Sequence, residues 1–206
     1  MKFAYFNPTV LAMDEIPIDK LDVFRNLVNN AHMRSQFNDA GNPQISVRGG
    51  QQIQLLPNEF GLDISELKSY VESKCQDFMD NIAAQSGKDE LKDFRPELVS
   101  AWTIKQGPGD YQAIHSHEAH ISGNIYIDVP DLDDNSEATD ANVEFRLPIV
   151  RNPAQFIFVD QVRIAPSVGN MIMFPSYLPH TVYPWKGTGS RTVLAWDVQI
   201  VSKKVS

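Results

Sequence analysis

The stretch Tyr111-Gln-Ala-Ile-His115-Ser-His117-Glu-Ala-His120-Ile-Ser-Gly-Asn-Ile-Tyr-Ile-Asp-Val129 decides the fold and site predictions for this chain. Apolar alternation and β-branched side chains over residues 111–128 are typical of β-strands, here as two strands bent around residues 120–123. Successive strand side chains point to opposite faces, so His115 and His117 should share one face, about 7 Å apart. Two imidazoles on one face can bind one side of a metal ion and leave its other side open, an arrangement that suits iron.

A second segment, Phe174-Pro-Ser-Tyr-Leu-Pro-His180-Thr-Val, supplies a candidate third ligand, His180, and Arg191 follows eleven positions later (191 − 180 = 11). Arg191 opens the apolar run Val-Leu-Ala-Trp, where an unpaired charge would be costly. A guanidinium grips a carboxylate through two hydrogen bonds. Metal ligands beside such a clamp predict a cosubstrate that chelates iron at one end and carries a carboxylate at the other, as 2-oxoglutarate does.

The pattern His-x-His-x4-Ser-Gly-x-x-Tyr-x-x-x-Pro (residues 115–130), with Phe-Pro-Ser-x-x-x-His (174–180) and Arg191, resembles the 2-oxoglutarate/Fe(II)-dependent dioxygenase family of marine phages and bacteria, distant relatives of the prolyl hydroxylases. The resemblance covers roughly residues 97–200. It implies Fe(II) and 2-oxoglutarate as cofactors and hydroxylation of an unidentified substrate. It also implies that His115, His117 and His180 bind iron, that Arg191 binds the distal carboxylate of 2-oxoglutarate, and that Tyr111 and Tyr126 are lesser cosubstrate contacts.

The second ligand departs from the wider superfamily, which has Asp or Glu where this chain has His117. A bulge in the strand would bring Glu118 into that place instead, so the choice between the two stays open. Four further residues are expected to support the ligands or to line the entrance: His120, Ser122, Phe174 and Ser176.

Composition describes an ordinary globular protein: 206 residues, 42% hydrophobic and 21% charged. This predicts a single domain, in which a helical and loop part (1–96) packs on a core (97–206). No apolar run approaches a membrane span, and no secretory signal stands at the N-terminus. The net charge of −8 speaks against general nucleic-acid binding. The single cysteine, Cys75, excludes an intrachain disulfide and fits a cytoplasmic location. A homodimer is an open possibility.

The N-terminal half predicts two amphipathic helices, one from an Asp19 N-cap to about residue 36 and one that begins after an Asp63/Glu66 capping box and ends near Gly87. Cys75 and His32 are expected to be packed structural residues of these helices. Residues 37–62 are expected to be a loop with short strand pieces near the site entrance, and the sequence leaves open whether they form a lid.

Residues 97–206 predict a mainly β fold, a double-stranded β-helix (jelly-roll, cupin-like) core backed by the N-terminal helices. Besides 111–128, the predicted strands are 98–104, 143–147, 155–159, 162–165, 170–174, 181–183 and 191–201. The acidic loop 131–140 fits a solvated hairpin loop better than a calcium site, because it lacks the glycine and glutamate of an EF-hand. Trp102, Tyr177 and Trp185 are expected to be core or rim aromatics.

Two other functions fit parts of the pattern. A three-histidine cupin-type metalloenzyme would need no 2-oxoglutarate. The cupin pattern, however, has a glutamate a few residues after the His-x-His pair and does not require Arg191. A non-catalytic jelly-roll binding protein would keep the shape of the site, and the missing carboxylate ligand favours it. Fe(II) binding without 2-oxoglutarate turnover would separate it from the dioxygenase.

Overall fold

Antiparallel β-sheets covered on one side by helices make up the part of the chain that the computed structural model describes, residues 9–35, 50–57, 60–147 and 160–203. The helices are α1 (Ile18–Ser35), α2 (Ser65–Ser86) and a short 3-10 turn (Asp89–Asp93). No helix among the described residues is both long and apolar enough to cross a membrane.

The larger sheet has six strands in the order β1-β9-β5-β12-β3-β2. Their bounds are β1 Ala12–Glu15, β2 Gln51–Leu56, β3 Phe94–Gln106, β5 Ile121–Asp128, β9 Asn170–Pro175 and β12 Arg191–Ser202. The smaller sheet has the order β4-β10-β7-β8, with β4 Gln112–His115, β7 Val143–Arg146, β8 Gln161–Ile164 and β10 His180–Val182. A two-stranded ribbon joins β6 (Asp131–Leu132) to β11 (Gly187–Thr188).

The two helices pack on the outer face of the larger sheet. Apolar side chains recur along α1 at three- and four-residue spacing, and they are buried against the sheet with those of α2. Leu194, Trp196 and Val198 of β12 belong to the same cluster. Cys75 is fully buried within it, and burial raises the pKa of its thiol to about 12. The expected structural role of Cys75 agrees with this position.

The helix starts differ from the predicted ones by two residues in α1 and by one in α2. α1 begins at Ile18, so Asp19 lies inside the first turn rather than at the N-cap. There its carboxylate still interacts favourably with the helix dipole. Ile64, not Asp63, is the N-cap of α2, and Asp63 instead accepts a hydrogen bond from the Ser65 N–H at 2.9 Å. α2 ends as predicted at Gly87, whose φ of 68° is the left-handed conformation that glycine adopts readily.

Residues 37–62, predicted to be a loop, are described only in part. Residues 51–56, expected to hold only short strand pieces, form a full edge strand, β2, which pairs with β3. Residues 36–49 and the predicted strand 155–159 lie outside the described residues, so the question of a lid stays open. His32 is packed as expected: its Nδ1 lies 3.2 Å from Gln51 Oε1.

Alternate residues of β12 face opposite sides of the larger sheet. Leu194 and Trp196 face the helices, whereas Val193 and Ala195 face the smaller sheet and line a cavity between the two sheets. Gly123 of the neighbouring strand β5 is paired with Trp196, and the Trp196 ring lies against it. A Cβ there would lie 2.6 Å from Trp196 Cζ2 and 2.7 Å from the Ile172 carbonyl oxygen, so only glycine fits.

Candidate metal and cosubstrate site

The cavity between the two sheets brings together the three histidines and the arginine that the sequence singled out. Side chains of seven strands and one loop line it, namely Trp102, Ile104, Gln106, Gln112, His115, His117, Asn124, Tyr126, Val143, Phe145, Phe174, His180, Val182, Arg191, Val193 and Ala195. The lining is mostly apolar with a few polar groups, as is usual for a small-ligand site. Tyr111 is not among the lining residues.

Strand pairing and a backbone bond place the three histidines. His115, the last residue of β4, is directly opposite His180, the first residue of β10. His117 was expected on the same strand as His115, but the chain leaves the strand after His115. The His117 N–H instead donates to the Ser176 carbonyl at 2.9 Å. The two segments recognised in the sequence are therefore joined by strand pairing on one side and a loop contact on the other.

The three imidazoles form a cluster of metal-binding size. One ring nitrogen from each of His115, His117 and His180 lies within 4.8 Å of the others, and within the described part of the chain this is the only group of at least three potential ligands. Ring centroids are 4.2 to 5.3 Å apart. Glu118 is not part of the group. His120 lies outside it as well, because its Nδ1 accepts the Ile200 N–H at 3.1 Å.

Hydrogen bonds fix which nitrogen each ring presents. His115 Nδ1 lies 2.7 Å from the Ala113 carbonyl, and His180 Nδ1 lies 3.0 Å from the Leu178 carbonyl. A carbonyl oxygen can only accept, so each Nδ1 carries the proton and each Nε2 keeps its lone pair. His117 Nδ1 lies 2.9 Å from Asp197 Oδ1, and its Nε2 is buried without a hydrogen-bond partner in the described part of the chain. Three Nε2 lone pairs, one of them orphaned, fit a metal ion.

Burial also favours the neutral form that binds metals. The pKa of His180 is lowered to about 3, first because burial disfavours the charged ring and then because His115 is close. Burial likewise lowers the pKa of His115. Both rings are therefore neutral at pH 7 and available as ligands.

Asp197, on β12, was not singled out by the sequence analysis. Its Oδ1 also accepts the Ser122 hydroxyl at 2.6 Å, and Ser122 Oγ lies 2.7 Å from Ser176 Oγ. Ser122 and Ser176, expected to support the ligands or to line the entrance, are both buried behind His117. Asp197 stands six positions after Arg191 in an apolar strand (197 − 191 = 6), an even spacing that could have placed both on one face.

Arg191 lies in the same cavity as a buried cation without an anionic partner among the described residues. It is 1% exposed. Its guanidinium donates to Gln106 Oε1 at 2.5 Å and to the Ala141 and Tyr183 carbonyls at 2.8 and 3.3 Å. Burial lowers its pKa to about 10, although Tyr126 and Asp110 favour the charged form. A carboxylate in the cavity would supply the missing charge.

Aromatic rings enclose the histidine cluster. Trp102, expected only as a core or rim residue, is parallel to His117 with ring centroids 5.6 Å apart. Phe174 lies edge-on to His180 at 4.9 Å. Trp185 is buried, and the Arg191 guanidinium carbon lies 5.1 Å from the centroid of the Trp185 ring. Tyr177 is 59% exposed and does not belong to this enclosure. Trp102 and Phe174 thus pack directly against imidazoles of the cluster.

The acidic loop lies on the surface, away from the cavity. Its first two residues form β6, and most of residues 131–140 are exposed or half-buried. Among the described residues none of its carboxylates belongs to a metal-sized group. This agrees with a solvated loop.

Comparison with known proteins agrees with this geometry. Residues 100–197 match the model of the family described as "Putative 2OG-Fe(II) oxygenase". The matched span contains the three histidines, Arg191 and Asp197. No curated protein matches the sequence. The cupin alternative is not favoured by the match. The predicted marine phage origin stays a prediction.

Solved structures share the fold over nearly the whole chain. A prolyl 4-hydroxylase from Pseudomonas putida has a TM-score of 0.55 at 14% identity, covering 92% of both chains. A viral collagen prolyl hydroxylase from Paramecium bursaria Chlorella virus-1, solved with 2-oxoglutarate, has a TM-score of 0.55 at 15% identity, covering 91% of this chain and 94% of its own. A 2-oxoglutarate/Fe(II) oxygenase family protein from Burkholderia pseudomallei has a TM-score of 0.59 at 10% identity, covering 94% and 88%.

These likenesses confirm the predicted fold, a mainly β jelly-roll core with N-terminal helices. The resemblance stated from the sequence is confirmed by the family match. Residues 100–197, somewhat less than half of the chain, thus match the model of the 2-oxoglutarate/Fe(II) oxygenases, a family of oxidoreductases that use Fe(II) and 2-oxoglutarate.

Proposed function

We propose that this chain hydroxylates its substrate at a site where His115, His117 and His180 bind Fe(II) through Nε2 and Arg191 binds the distal carboxylate of 2-oxoglutarate. One observation carries the proposal: a single cavity holds three imidazoles that present Nε2 lone pairs and a buried guanidinium that pairs with no anion in the described ranges. A ligand that chelates a metal and ends in a carboxylate satisfies both.

Bound Fe(II) and 2-oxoglutarate would supply the oxidising chemistry, in which substrate, 2-oxoglutarate and O₂ give hydroxylated substrate, succinate and CO₂. The protein's own residues orient and shield the reactants. Gln106 holds the Arg191 fork in one orientation. Val193 and Ala195, small side chains on the cavity floor, leave room for the cosubstrate, and the buried Tyr126 stands beside them as a further contact. Tyr111, outside the cavity lining, would contact the cosubstrate only after a local movement.

The substrate would approach from a groove that opens next to His115 and His117. Its lining is polar, and it includes Gln52 and Gln54 of β2, Ser100, Glu118 and Asp197 beside the shared Trp102. The Gln52 side-chain oxygen is buried there and has no hydrogen-bond partner among the residues that the structure describes. A substrate that offers N–H or O–H donors would form hydrogen bonds with these groups. Arg191 does not line this groove, so the substrate and the distal carboxylate of 2-oxoglutarate would occupy different places.

Three broader assignments belong to the same proposal. Residues 1–96 and 97–206 form one domain, supported by the shared cluster of helix and sheet side chains. The protein acts in the cytoplasm, supported by a single, buried cysteine. The net charge of −8 supports a small cosubstrate and substrate rather than nucleic acid as partners. A homodimer stays a prediction, which sedimentation velocity can check.

Succinate formation from 2-oxoglutarate in the presence of Fe(II), ascorbate and O₂ tests the proposal without a known substrate, because such enzymes are expected to turn the cosubstrate over slowly alone. Wild type should form succinate, His180→Ala should form none, and Arg191→Met should need about 10- to 100-fold more 2-oxoglutarate to do so. His120→Ala is the matched control, since His120 lies in the same segment but outside the cluster. Equal rates in wild type and His180→Ala would refute the assignment.

A further inference from the structure

One of the three histidines differs from the other two in its hydrogen-bond partner. His115 and His180 each donate to a neutral backbone carbonyl two residues earlier in the chain, whereas His117 faces a carboxylate, Asp197. His117 is also the histidine that stands where the wider superfamily has an acidic ligand. The three ligands carry no negative charge, but Asp197, which is hydrogen-bonded to one of them, does.

We propose that Asp197 is a positioning residue that supplies, through His117, the negative charge which the acidic ligand supplies elsewhere. A carboxylate that accepts the Nδ1–H of a metal-bound imidazole fixes its tautomer and raises its basicity as a ligand. This inference rests on the proposed metal site. It goes further by assigning Asp197 a role in tuning the metal, which neither the family match nor the histidine cluster requires.

The surroundings hold the carboxylate in one orientation. Oδ1 accepts from both His117 and Ser122. The one Ser122 proton is used in that bond, so Ser176 must donate to Ser122. Ser122 and Ser176 are 1% and 0% exposed, so water does not compete for these bonds. Strand register places Ser122 directly opposite Asp197, and the pairing of β12 with β3 shifts register immediately after Asp197.

A purely structural role for Asp197 is a weaker explanation, because the loop that carries His117 is already anchored by its backbone. The His117 N–H donates to the Ser176 carbonyl, the Ser176 N–H donates to the His120 carbonyl, and the His120 N–H donates to the Val198 carbonyl. These three bonds fix the loop path without any side chain. What they leave undetermined is the orientation and charge of the His117 ring, and Asp197 fixes both.

Co(II) titration of the full chain under anaerobic conditions, followed by its visible d–d bands, tests the inference without turnover. Asp197→Asn should weaken Co(II) binding about 10- to 100-fold and shift the d–d bands, because the ligand loses a charged partner. Ser122→Ala should have a smaller effect in the same direction. Asp128→Asn is the matched control, a carboxylate at the end of the neighbouring strand β5 that faces Arg25 and should change neither reading.

Each outcome decides the point. Unchanged affinity and bands in Asp197→Asn would overturn the role of Asp197. A lowered melting temperature of the metal-free variant with unchanged bands would also overturn it, in favour of a structural role. If wild type binds no Co(II), or His180→Ala binds it equally well, the metal site itself fails. That failure is distinct, because it appears without any substitution at Asp197.

Discussion

The two faces of the larger sheet come from the same strands, yet different constraints shape them. The face toward the helices is apolar and tightly packed, and Trp196 lies over a glycine that no other residue can replace. The face toward the smaller sheet carries the buried Arg191, which lines the cavity, and Asp197 with its hydrogen-bonded partner Ser122. Packing therefore determines the first face, and ligands that the chain itself does not supply determine the second.

This contrast explains why the buried charge of Arg191 lies on the cavity face. Buried charges and unpaired polar atoms cost free energy unless they are paired, so they persist where a ligand completes them. Arg191 and the Nε2 of His117 are such incomplete groups. Changes on the cavity face should therefore alter ligand binding and leave the fold intact, and changes on the helix face should do the reverse.

The largest effect should follow from His180→Ala. Loss of one of three ligands should abolish Fe(II) binding and succinate formation, since even changes to groups behind a ligand cost about 10- to 100-fold. The urea unfolding midpoint should stay close to that of metal-free wild type. Isothermal titration with Mn(II) and a urea melt would check both, and retained metal binding would contradict the cavity-face assignment.

Leu194→Ala should have the largest effect on stability. Leu194 is fully buried against the helices, and removing such a side chain costs about 2–5 kcal/mol of unfolding free energy. Its neighbour Val193 offers a control on the opposite face, because Val193→Ala enlarges a cavity that already exists. Urea melts of both variants should separate them clearly. Equal losses of stability would remove the distinction between the faces.

Arg191→Met should weaken 2-oxoglutarate binding while Fe(II) binding persists. Loss of a charged pair of hydrogen bonds is worth about 1.5–3 kcal/mol, or roughly 10- to 100-fold in Kd. A 2-oxo acid without the distal carboxylate, 2-oxovalerate, should bind wild type and variant alike. If the variant still prefers 2-oxoglutarate, Arg191 does not hold that carboxylate.

Gly123→Ala should destabilise the fold by overpacking. The new methyl group would contact Trp196 and a backbone oxygen at under 3 Å, and such overpacking costs about 1–3 kcal/mol. Gly109→Ala provides a comparison, because nothing lies within 4 Å of a Cβ there, although its φ of 83° adds backbone strain. Thermal melts of both would show whether contact with Trp196 adds to conformational strain. A Gly123→Ala variant as stable as wild type would contradict the packing.

Cys75 should give the smallest effect, a slow reaction in the native state. The pKa of about 12 keeps the thiol protonated at pH 8, and burial blocks access to it. Ellman's reagent should therefore modify the protein only after urea is added. Rapid labelling of the native chain would show that the helix face is less tightly packed than described.

The sequence predicted most of what depends on local pattern. The α1 stripe, the end of α2 at Gly87 and the strand alternation follow from residue spacing within one element, and the choice of His180 as a third ligand beside His115 follows from two short segments. Partners that depend on strand register were missed. Asp197 meets His117 only because β12 pairs with β5 and the loop after β4 folds back onto Ser176. The position of His117 in a loop, rather than in the strand with His115, could likewise be seen only from the path of the backbone.

The most direct test of the central claim is an anaerobic titration of Fe(II)-loaded protein with 2-oxoglutarate, followed by visible absorption, in wild type and Arg191→Met. We expect a weak charge-transfer band in wild type, from chelation at the three histidines, and a band in the variant that appears only at about 10- to 100-fold higher 2-oxoglutarate. Fe(II) binding in wild type without any such band would contradict it and would return the three-histidine cupin to first place.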